Sequence, residues 1–380
     1  MNSKIINLLR LLDIEHNPSW RDEFENRKIK IKEKDNLAIF NYDVMADFSD
    51  PIVQEARGII IDIKAMEVRC WPFRKFGNYG ESYADNIDWN HCWVEEKIDG
   101  SIVKLYWDPD RYRWCWATNS CIDAADAPTS NGRKNYQTLI ESAVNYNDIP
   151  FDGLNKNKTY IFELVSPETQ VVIHYPYTKL FHTGTRDNRD GMESMSNLRI
   201  AKPKVYNLHT IDDCIKAAKE LNKNSSNINH EGFVVVDWNW NRVKVKSPDY
   251  LMVHKIRGNC GGIRKEDAIN LLKNTDKGIT DVVYGTKFPK RDVVCLKYYD
   301  YKIHELDNNI EEFIEYTRSL YTEYGSDRKA VAMVIKNSKY AAYGFAAIEN
   351  SMTVEEIINK IGLNKYCKMI PDYIREDVIP

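Results

Sequence analysis

The pattern of hydrophobic and polar positions divides the chain into two parts. From about residue 27 to 255, short runs of β-branched and aromatic residues alternate with turn residues, a pattern typical of β-strands. Helices are expected only near residues 133–146 and 210–222, which favours antiparallel sheets over a parallel βαβ fold. The expected strands are residues 57–63, 101–107, 159–165, 169–175, 179–185, 231–238 and 242–247.

After about residue 256 the pattern becomes helical. Residues 307–325 place their apolar side chains on one stripe with the spacing of an α-helix. Further on, Thr353 and Glu356 have the spacing of a capping box, and Gly362 follows as a helix stop. These signals predict an α-helical C-terminal region.

The two patterns together predict an α+β protein with two domains. The first, residues 1–255, is an antiparallel-sheet domain with an N-terminal extension of helix and strand, and its first 13 residues are expected to form a short amphipathic helix rather than a signal peptide. The second, residues 256–380, is expected to be all-α and has a common domain size. The glycine-rich residues 258–262 lack the Gly-Lys-Ser/Thr of a phosphate loop and are expected to form a hinge or turn.

Composition and charge exclude several classes of protein. The net charge of the 380 residues is only −3, so no overall basic field indicates nucleic-acid binding, and a polyanion site would have to be a local patch. No 18-residue apolar run is present, which predicts that the chain does not span a membrane. The eight cysteines have no zinc-binding spacing and are interpreted as reduced thiols in a cytoplasmic protein.

A lysine next to a turn signal is the first candidate for chemistry. Lys97 lies in the stretch VEEKIDGSIVKLYWD, and Asp99-Gly100 follows it between two runs with strand character. Asp-Gly between such runs predicts a tight turn. Taken alone, this stretch is equally well a turn with a surface lysine.

Other charged residues lie in or beside the expected strands, and each has an ordinary structural explanation by itself. Lys244 and Lys246 alternate with valines and therefore share one face of a strand. Three lysines, one arginine and two carboxylates in a single pocket would suit a nucleoside triphosphate with its metal ion. The members of this set are Arg57, Lys97, Glu163, Glu231, Lys244 and Lys246.

The segment Lys97-Ile98-Asp99-Gly100-Ser101 resembles the K-x-D-G-S/T nucleophile motif of covalent nucleotidyltransferases, which include polynucleotide ligases and RNA capping enzymes. The other motifs follow in the order and wording of the bacteriophage T4 RNA ligase 1 family, and the likeness covers about residues 38–255 by motif. They are EARGIIID (55–62), PFRKFGNYGE (72–81), YIFELVSPE (160–168), HEGFVVV (230–236) and VKVKS (243–247).

The resemblance implies an ATP-dependent RNA ligase with an antiparallel nucleotidyltransferase domain. Such an enzyme uses ATP and Mg²⁺, with Mn²⁺ as an alternative, to form a lysyl-AMP adduct. It then joins the 5′-phosphate and 3′-hydroxyl ends of RNA. The implied biology is RNA repair, including that of a cleaved tRNA, in the cytoplasm of a host cell if the protein is encoded by a phage. A monomer is expected.

The resemblance also implies roles for individual residues. Lys97 would be the nucleophile, Glu163 would contact the ribose, and Glu231 would serve the metal ion or the protonation state of the nucleophile. Lys244 and Lys246 would hold the α-phosphate. Arg57 and Lys75 would hold the outer phosphates or the RNA end, and Tyr42 would contact the nucleotide. Asp99 would orient the nucleophile or serve the sealing step. Asp276 would contact the metal ion or serve as a contact of the C-terminal tail.

Two positions depart from the family pattern. Asn119 stands where the family has a basic residue, so one phosphate contact is expected to be missing. Gly77 stands where the family has an aromatic residue, and a looser turn after Lys75 is expected. Burial and the nearby cations are also expected to depress the pKa of Lys97, since both disfavour its charged form.

Two alternatives to an RNA ligase remain open from the sequence. Another covalent nucleotidyltransferase, such as a DNA ligase or a GTP-using capping enzyme, would normally append a β-rich OB module, whereas residues 256–380 have helical patterns. A non-catalytic RNA-end-binding relative would have no physical need for a lysine in a carboxylate-lined pocket. Residues 287–302 offer lysines and aromatics for RNA contacts, and an exposed charged loop and strand is the equally good structural alternative.

Overall fold

A computed structural model describes the protein at residues 7–12, 17–129, 132–144, 149–195, 198–225, 227–257, 263–273, 290–348 and 352–373. The chain forms two compact units, an N-terminal unit over Met1–His254 and a C-terminal unit over Lys255–Pro380. Asp276 and the glycine-rich residues 258–262 lie outside the described residues. None of the described helices is long and apolar enough to cross a membrane.

The strands occupy the N-terminal unit and confirm the predicted α+β class. They are β1 (Ile29–Lys34), β2 (Leu37–Tyr42), β3 (Arg57–Asp62), β4 (Glu67–Cys70), β5 (Cys92–Lys97), β6 (Ser101–Asp108), β7 (Arg113–Thr118), β8 (Lys158–Val165), β9 (Lys179–Asp187), β10 (Glu193–Ser194), β11 (Val205–Tyr206), β12 (Gly232–Asp237) and β13 (Arg242–Lys246).

Helices flank these strands and form the described part of the C-terminal unit. They are α1 (Asn7–Leu11), α2 (Trp20–Asn26), α3 (Pro51–Glu55), α4 (Tyr136–Ala143), α5 (Ile211–Glu220), α6 (Pro248–Arg257), α7 (Lys265–Lys273), α8 (Lys290–Glu323), α9 (Arg328–Ile335), α10 (Ala341–Ile348), α11 (Val354–Ile361) and α12 (Leu363–Met369).

The strands form three antiparallel sheets, in the orders β1-β2-β3-β4, β10-β9-β8-β6-β7 and β11-β5-β12-β13. Strand β3 is apolar along its whole middle because both faces of the first sheet are covered. Ile59 and Ile61 pack towards the N-terminal helices, whereas Ile60 packs against Tyr106 and Cys115 of the second sheet.

The third sheet has one apolar and one polar face, which sets up the site. Val94, Phe233, Val243 and their neighbours pack against Cys214 and Ala218 of α5. Because side chains alternate along a strand, the residues between them point to the opposite face. That opposite face carries the lysines of β5 and β13.

The structure corrects two predictions about strands. The Asp99-Gly100 segment is not a hairpin turn, since β5 pairs with β11 and β12 whereas β6 pairs with β7 and β8. The segment crosses from the third sheet to the second, and a Cβ at Gly100 would lie 2.5 Å from the carbonyl oxygen of Leu164. Residues 169–175 form no strand, because a short 3-10 turn at Pro167–Thr169 and a series of bends replace it.

The described residues of the C-terminal unit form helices joined by turns and short irregular segments, with no strand among them. The capping box of Thr353 and Glu356 is present at the start of α11, and Gly362 ends the helix at φ 97°. The helix predicted over 307–325 begins much earlier, at Lys290, so the alternative of a loop and strand in the preceding segment is wrong for its described part. The described cysteines of both units are free thiols, as predicted.

Candidate active site

A cleft between the second and third sheets is lined by five of the ten predicted site residues. Strands β5, β12 and β13 supply one wall, and β6, β8 and β9 supply the other. Its lining comprises Arg57, Phe73, Phe76, Glu95, Glu96, Lys97, Ile98, Ile102, Glu163, Thr183, Pro203, Val234, Arg242, Lys244 and Lys246.

Lys97 is the last residue of β5 and lies deep in this cleft. Its Nζ donates to Oε2 of Glu231 at 2.9 Å, and its side chain is only 19% exposed. Gly232 stands opposite it in the register of β12, at φ 146°, where a Cβ would collide with the backbone of Val245. The Glu-Gly pair therefore lets β12 and β13 approach closely enough to present the carboxylate to Lys97.

The expectation of a depressed pKa for Lys97 is wrong. Burial does oppose the charged form, but the carboxylates of Glu231, Glu163 and Asp99 outweigh it and raise the pKa above the ordinary value. The direct ion pair with Glu231, 134 residues away in sequence, outweighs the effect of the cations around Lys97. Lys97, held by this ion pair, is therefore an ammonium ion at neutral pH.

Glu231 joins two of the lysines. Its Oε1 accepts from Nζ of Lys246 at 2.9 Å while its Oε2 accepts from Lys97, and its side chain is almost fully buried. Burial alone would raise the pKa of Glu231, but Lys97 and Lys246 hold it below the ordinary value. A buried carboxylate between two ammonium groups is a rigid means of fixing both lysines in place.

Lys244 lines the cleft and has a lowered pKa. Burial, followed by the positive charges of Arg57, Lys97 and Lys75, lowers its pKa to about 6. Its Nζ donates to the carbonyl oxygen of Phe76 at 2.9 Å and lies 4.6 Å from the centre of that ring. Arg57 lies over the same ring at 5.1 Å.

Lys75 and Tyr42 lie beside this cationic group. The Nζ of Lys75 is 4.4 Å from the ring centre of Phe48 and 5.3 Å from that of Tyr42. Burial and then Arg57 lower the pKa of Lys75. Tyr42 thus contacts Lys75 and the ring of Phe48, while the cleft lining defined above does not include the tyrosine.

Gly77 does not loosen the turn after Lys75. A Cβ there would lie 2.9 Å from Cα of Ala84, and the Gly77 carbonyl accepts a hydrogen bond from the backbone N–H of Lys244 at 3.1 Å. The glycine lets this segment pack tightly beside β13, which corrects the expectation of a looser turn.

Glu163 projects from β8 into the cleft. Its burial, opposed by Lys97 and reinforced by Glu231, raises its pKa to about 7. A carboxyl group with this pKa exchanges protons readily near neutral pH.

Asp99 anchors the segment that follows the lysine. One of its oxygens accepts from the N–H groups of Val172 and Ile173 at 2.9 and 2.7 Å, and the other accepts from the Tyr250 hydroxyl at 2.7 Å. Burial, followed by the nearby Glu231 charge, raises the pKa of Asp99. The contacts of Asp99 therefore position the segment that crosses from β5 to β6 after Lys97.

A buried lysine that the sequence argument missed lies behind the cleft. Lys104 of β6 is completely buried, and its Nζ donates to the carbonyl oxygen of Gly58, the residue after Arg57. The backbone of Asn119 meets them there, since a Cβ on Gly58 would lie 2.7 Å from both the Asn119 carbonyl oxygen and Lys104 Nζ. A positive charge thus lies behind Asn119, where the family pattern has its basic residue. The sequence feature that could have indicated this site is a lysine within an otherwise apolar strand.

The pKa of Lys104, which burial lowers to about 8, predicts a pH dependence of stability. Between pH 8 and about 10.4 the unfolded chain binds more protons at this residue than the folded one, so raising the pH stabilises the fold. Relative to Lys104→Met, the wild type should gain up to about 1.4 kcal/mol per pH unit in this interval. Urea unfolding of both proteins at pH 7.5, 8.5 and 9.5 measures the difference. If the free energies of unfolding of the two proteins change in parallel with pH, folding does not lower the pKa of Lys104.

The oxygen, nitrogen and sulfur donors near the cleft test the expectation that the protein binds a metal ion. Among the described residues, no group of three or more histidine, cysteine, aspartate or glutamate side chains is arranged to hold a metal ion. Mg²⁺ is commonly held by one or two carboxylates together with substrate phosphates. Glu231 fits that arrangement as one such carboxylate, whereas Asp276 lies outside the described residues.

The fold and the cleft define the class of protein: a unit of three antiparallel sheets in which a buried lysine faces carboxylates and a group of basic side chains. The family model for RNA ligases matches residues 55–250, which is more than half of the chain. The chain therefore belongs to this RNA ligase family, and the resemblance to the bacteriophage T4 RNA ligase 1 group is confirmed.

Individual relatives are distant. A protein of Autographa californica nuclear polyhedrosis virus, named as a bifunctional polynucleotide kinase/RNA ligase, is 30% identical over 251 residues, covering 60% of this chain and 35% of the relative. An RNA ligase of Rhodothermus phage RM378 is 25% identical over 293 residues, covering 60% of this chain and 66% of the relative. Form 2 of an archaeal ATP-dependent RNA ligase is 10% identical with a TM-score of 0.45, covering 78% of each chain. The chain thus spans about a third of the viral relative and about two thirds of the phage relative.

Proposed function

We propose that this protein is an ATP-dependent RNA ligase whose nucleophile is Lys97. The observation that carries the proposal is the arrangement of the cleft. One buried lysine is paired with Glu231, and Lys244, Lys246 and Arg57 lie near it with Phe76 between two of the cations. Membership of the RNA ligase family supports the same assignment.

Three transfers at phosphorus make up the proposed reaction. The Lys97 amine attacks the α-phosphorus of ATP, a P–N bond forms, and the P–O bond to pyrophosphate breaks. An oxygen of an RNA 5′-phosphate then attacks the same phosphorus and releases Lys97. Finally, an RNA 3′-hydroxyl attacks the activated 5′-phosphate, which forms the phosphodiester bond and releases AMP.

The first step requires Lys97 to lose a proton, since only the neutral amine is a nucleophile. Glu163, with its pKa of about 7, is the group suited to accept that proton at neutral pH. Glu231 would hold Mg²⁺, which when bound supplies positive charge to the phosphates. The positive charges of Lys244, Lys246 and Arg57 stabilise the negative charge that develops on the phosphate oxygens.

The alternatives within the superfamily are less well supported. A DNA ligase or capping enzyme normally carries a β-rich OB module, whereas the described residues of the C-terminal unit are helical. An RNA-binding relative without activity would not need the buried ion pair of Lys97 and Glu231, whose burial carries a desolvation cost.

End joining tests the proposal. A single-stranded RNA with a labelled 5′-phosphate and a free 3′-hydroxyl is incubated with the protein, ATP and Mg²⁺, and its circularisation is followed on a denaturing gel. We expect phosphatase-resistant circles from the RNA and none from Lys97→Arg, which keeps a cation but lacks a nucleophilic amine.

Matched substrates separate the alternatives. A nicked DNA duplex that is sealed in preference to RNA would make the protein a DNA ligase, and transfer of GMP to a 5′-diphosphate end would make it a capping enzyme. A tRNA cut in its anticodon loop that is joined faster than a linear RNA would extend the proposal to tRNA repair. Binding of RNA ends with no joining and no loss of ATP would contradict the proposal.

A further inference from the structure

Lys104 is a buried basic residue to which the proposed reaction gives no role. Its side chain is completely buried on β6 and lies on the same face of the strand as Tyr106, which packs towards the first sheet. The titratable groups that act on it are Arg57, Cys70 and Cys121, and no described carboxylate is among them. Burying an amine without a counter-ion costs stability. The contact that the amine makes therefore indicates what it does.

That contact is with a β-bulge at the start of β3. The register of β2 against β3 shifts between Phe40 and Asn41, which leaves Gly58 without a partner in the ladder. Gly58 has φ 82°, a conformation that favours glycine. Its carbonyl oxygen accepts the hydrogen bond from Nζ of Lys104. Because a bulge changes the direction of the side chains beside it, the amine holds the backbone that orients Arg57.

Arg57 reaches the cleft from this bulge. Its side chain lines the cleft, and its guanidinium lies 5.1 Å from the ring centre of Phe76. The guanidinium donates to the carbonyl oxygen of Arg74 at 3.3 Å, which is longer than a typical N–H···O hydrogen bond. Such a contact constrains the guanidinium only weakly. Its direction therefore depends on the backbone at Arg57 and Gly58.

We propose that Lys104 is a positioning residue for nucleotide transfer, because it holds the Gly58 carbonyl and so fixes the bulge that directs Arg57 at the phosphates. This inference rests on the proposed function, in which Arg57 stabilises charge on the phosphate oxygens. Lys104 itself is completely buried and acts only through the backbone of β3. Without the amine, the buried Gly58 carbonyl loses its side-chain donor and the bulge can relax. The loss should therefore matter only when Arg57 is present.

A double-mutant cycle tests this coupling. Transfer of label from α-labelled ATP onto the protein, with Mg²⁺ and subsaturating ATP, is measured for the wild type, Lys104→Met, Arg57→Ala and the double variant. We expect Lys104→Met to lower the rate by about tenfold when Arg57 is present and by less than about twofold when it is absent. Methionine is unbranched, apolar and adaptable in a core, so the Lys104→Met variant should fold.

Thr159→Val is the matched control. Thr159 is completely buried on β8, and its hydroxyl accepts a hydrogen bond from the backbone N–H of Trp71 at 2.8 Å. Like Lys104, it holds a backbone segment of the N-terminal unit, but Trp71 is not part of the cleft lining. Losing this hydroxyl should lower the melting temperature. The rate of labelling should stay within about twofold of the wild type, with or without Arg57.

The outcomes separate this inference from the proposed function. If Lys104→Met lowers the rate equally in both backgrounds, or in neither, Lys104 does not act through Arg57, although the ligase assignment stands. If ATP does not label a folded wild-type protein, the proposed function fails and this inference fails with it. Thermal melting of each variant confirms that the measured protein is folded.

Discussion

Replacing Glu231 with glutamine is expected to lower the rate of transfer of AMP to the protein by at least about 100-fold. The carboxylate fixes both Lys97 and Lys246 at 2.9 Å, and the amide leaves two buried ammonium groups without their counter-ion. Breaking a buried ion pair also costs about 3 kcal/mol of stability. The variant should therefore unfold at a lower urea concentration than the wild type. Its activity is measured at conditions well below the midpoint of this unfolding.

The same variant makes Lys97 chemically more reactive, which separates an electrostatic effect from misfolding. Without the Glu231 charge, the pKa of Lys97 falls, and each unit of that fall raises the fraction of neutral amine about tenfold at a pH below the pKa. Acetylation of Lys97 at pH 8 in the absence of nucleotide, followed by peptide mass spectrometry, measures this fraction. Slower acetylation than in the wild type, or equal acetylation in both proteins, would contradict the ion-pair explanation. Glu220→Gln, an exposed residue at the end of α5, serves as the control.

Binding of a triphosphate is expected to draw a proton onto Lys244. In the empty cleft burial and Arg57 lower the pKa of Lys244 to about 6, so the amine is mostly neutral at pH 7.5. A bound polyphosphate reverses the sign of the local field and restores the ordinary preference for the ammonium form. The wild type should therefore take up more protons on binding than Lys244→Met, by close to one proton per nucleotide.

Titration calorimetry with α,β-methylene ATP, in buffers of different ionisation enthalpy, counts these protons without the first chemical step. Lys223→Met provides a control, because that lysine is exposed and paired with Glu220 outside the cleft. The Lys244→Met variant should bind the analogue more weakly while showing the smaller uptake. Equal proton uptake by the wild type and Lys244→Met would mean that Lys244 is already charged in the empty cleft.

The sequence was sufficient for the parts of the site that depend on strand alternation. Lys244 and Lys246 share a face because they are two residues apart on β13, and both line the cleft. The helical C-terminal region was equally predictable, down to the capping box at Thr353. These features depend on neighbours within a few residues, so the local pattern contains the information.

Features that depend on contacts distant in sequence could not be predicted in this way. The strands around Asp99 look like a hairpin locally, yet they belong to different sheets. The pKa of Lys97 is decided by Glu231, which lies 134 residues away, and its direction came out opposite to the expectation. The surroundings of Lys104 come from Gly58 and Asn119, which no local pattern around this lysine indicates.

The covalent adduct on Lys97 tests the central claim most directly. The purified protein is incubated with ATP and Mg²⁺, pyrophosphate is removed enzymatically, and the protein is denatured in mild base, digested and analysed by peptide mass spectrometry. We predict one AMP on the peptide that contains Lys97 and none in Lys97→Ala. An unmodified Lys97 in a folded wild-type protein, or AMP on a different residue, would contradict the account.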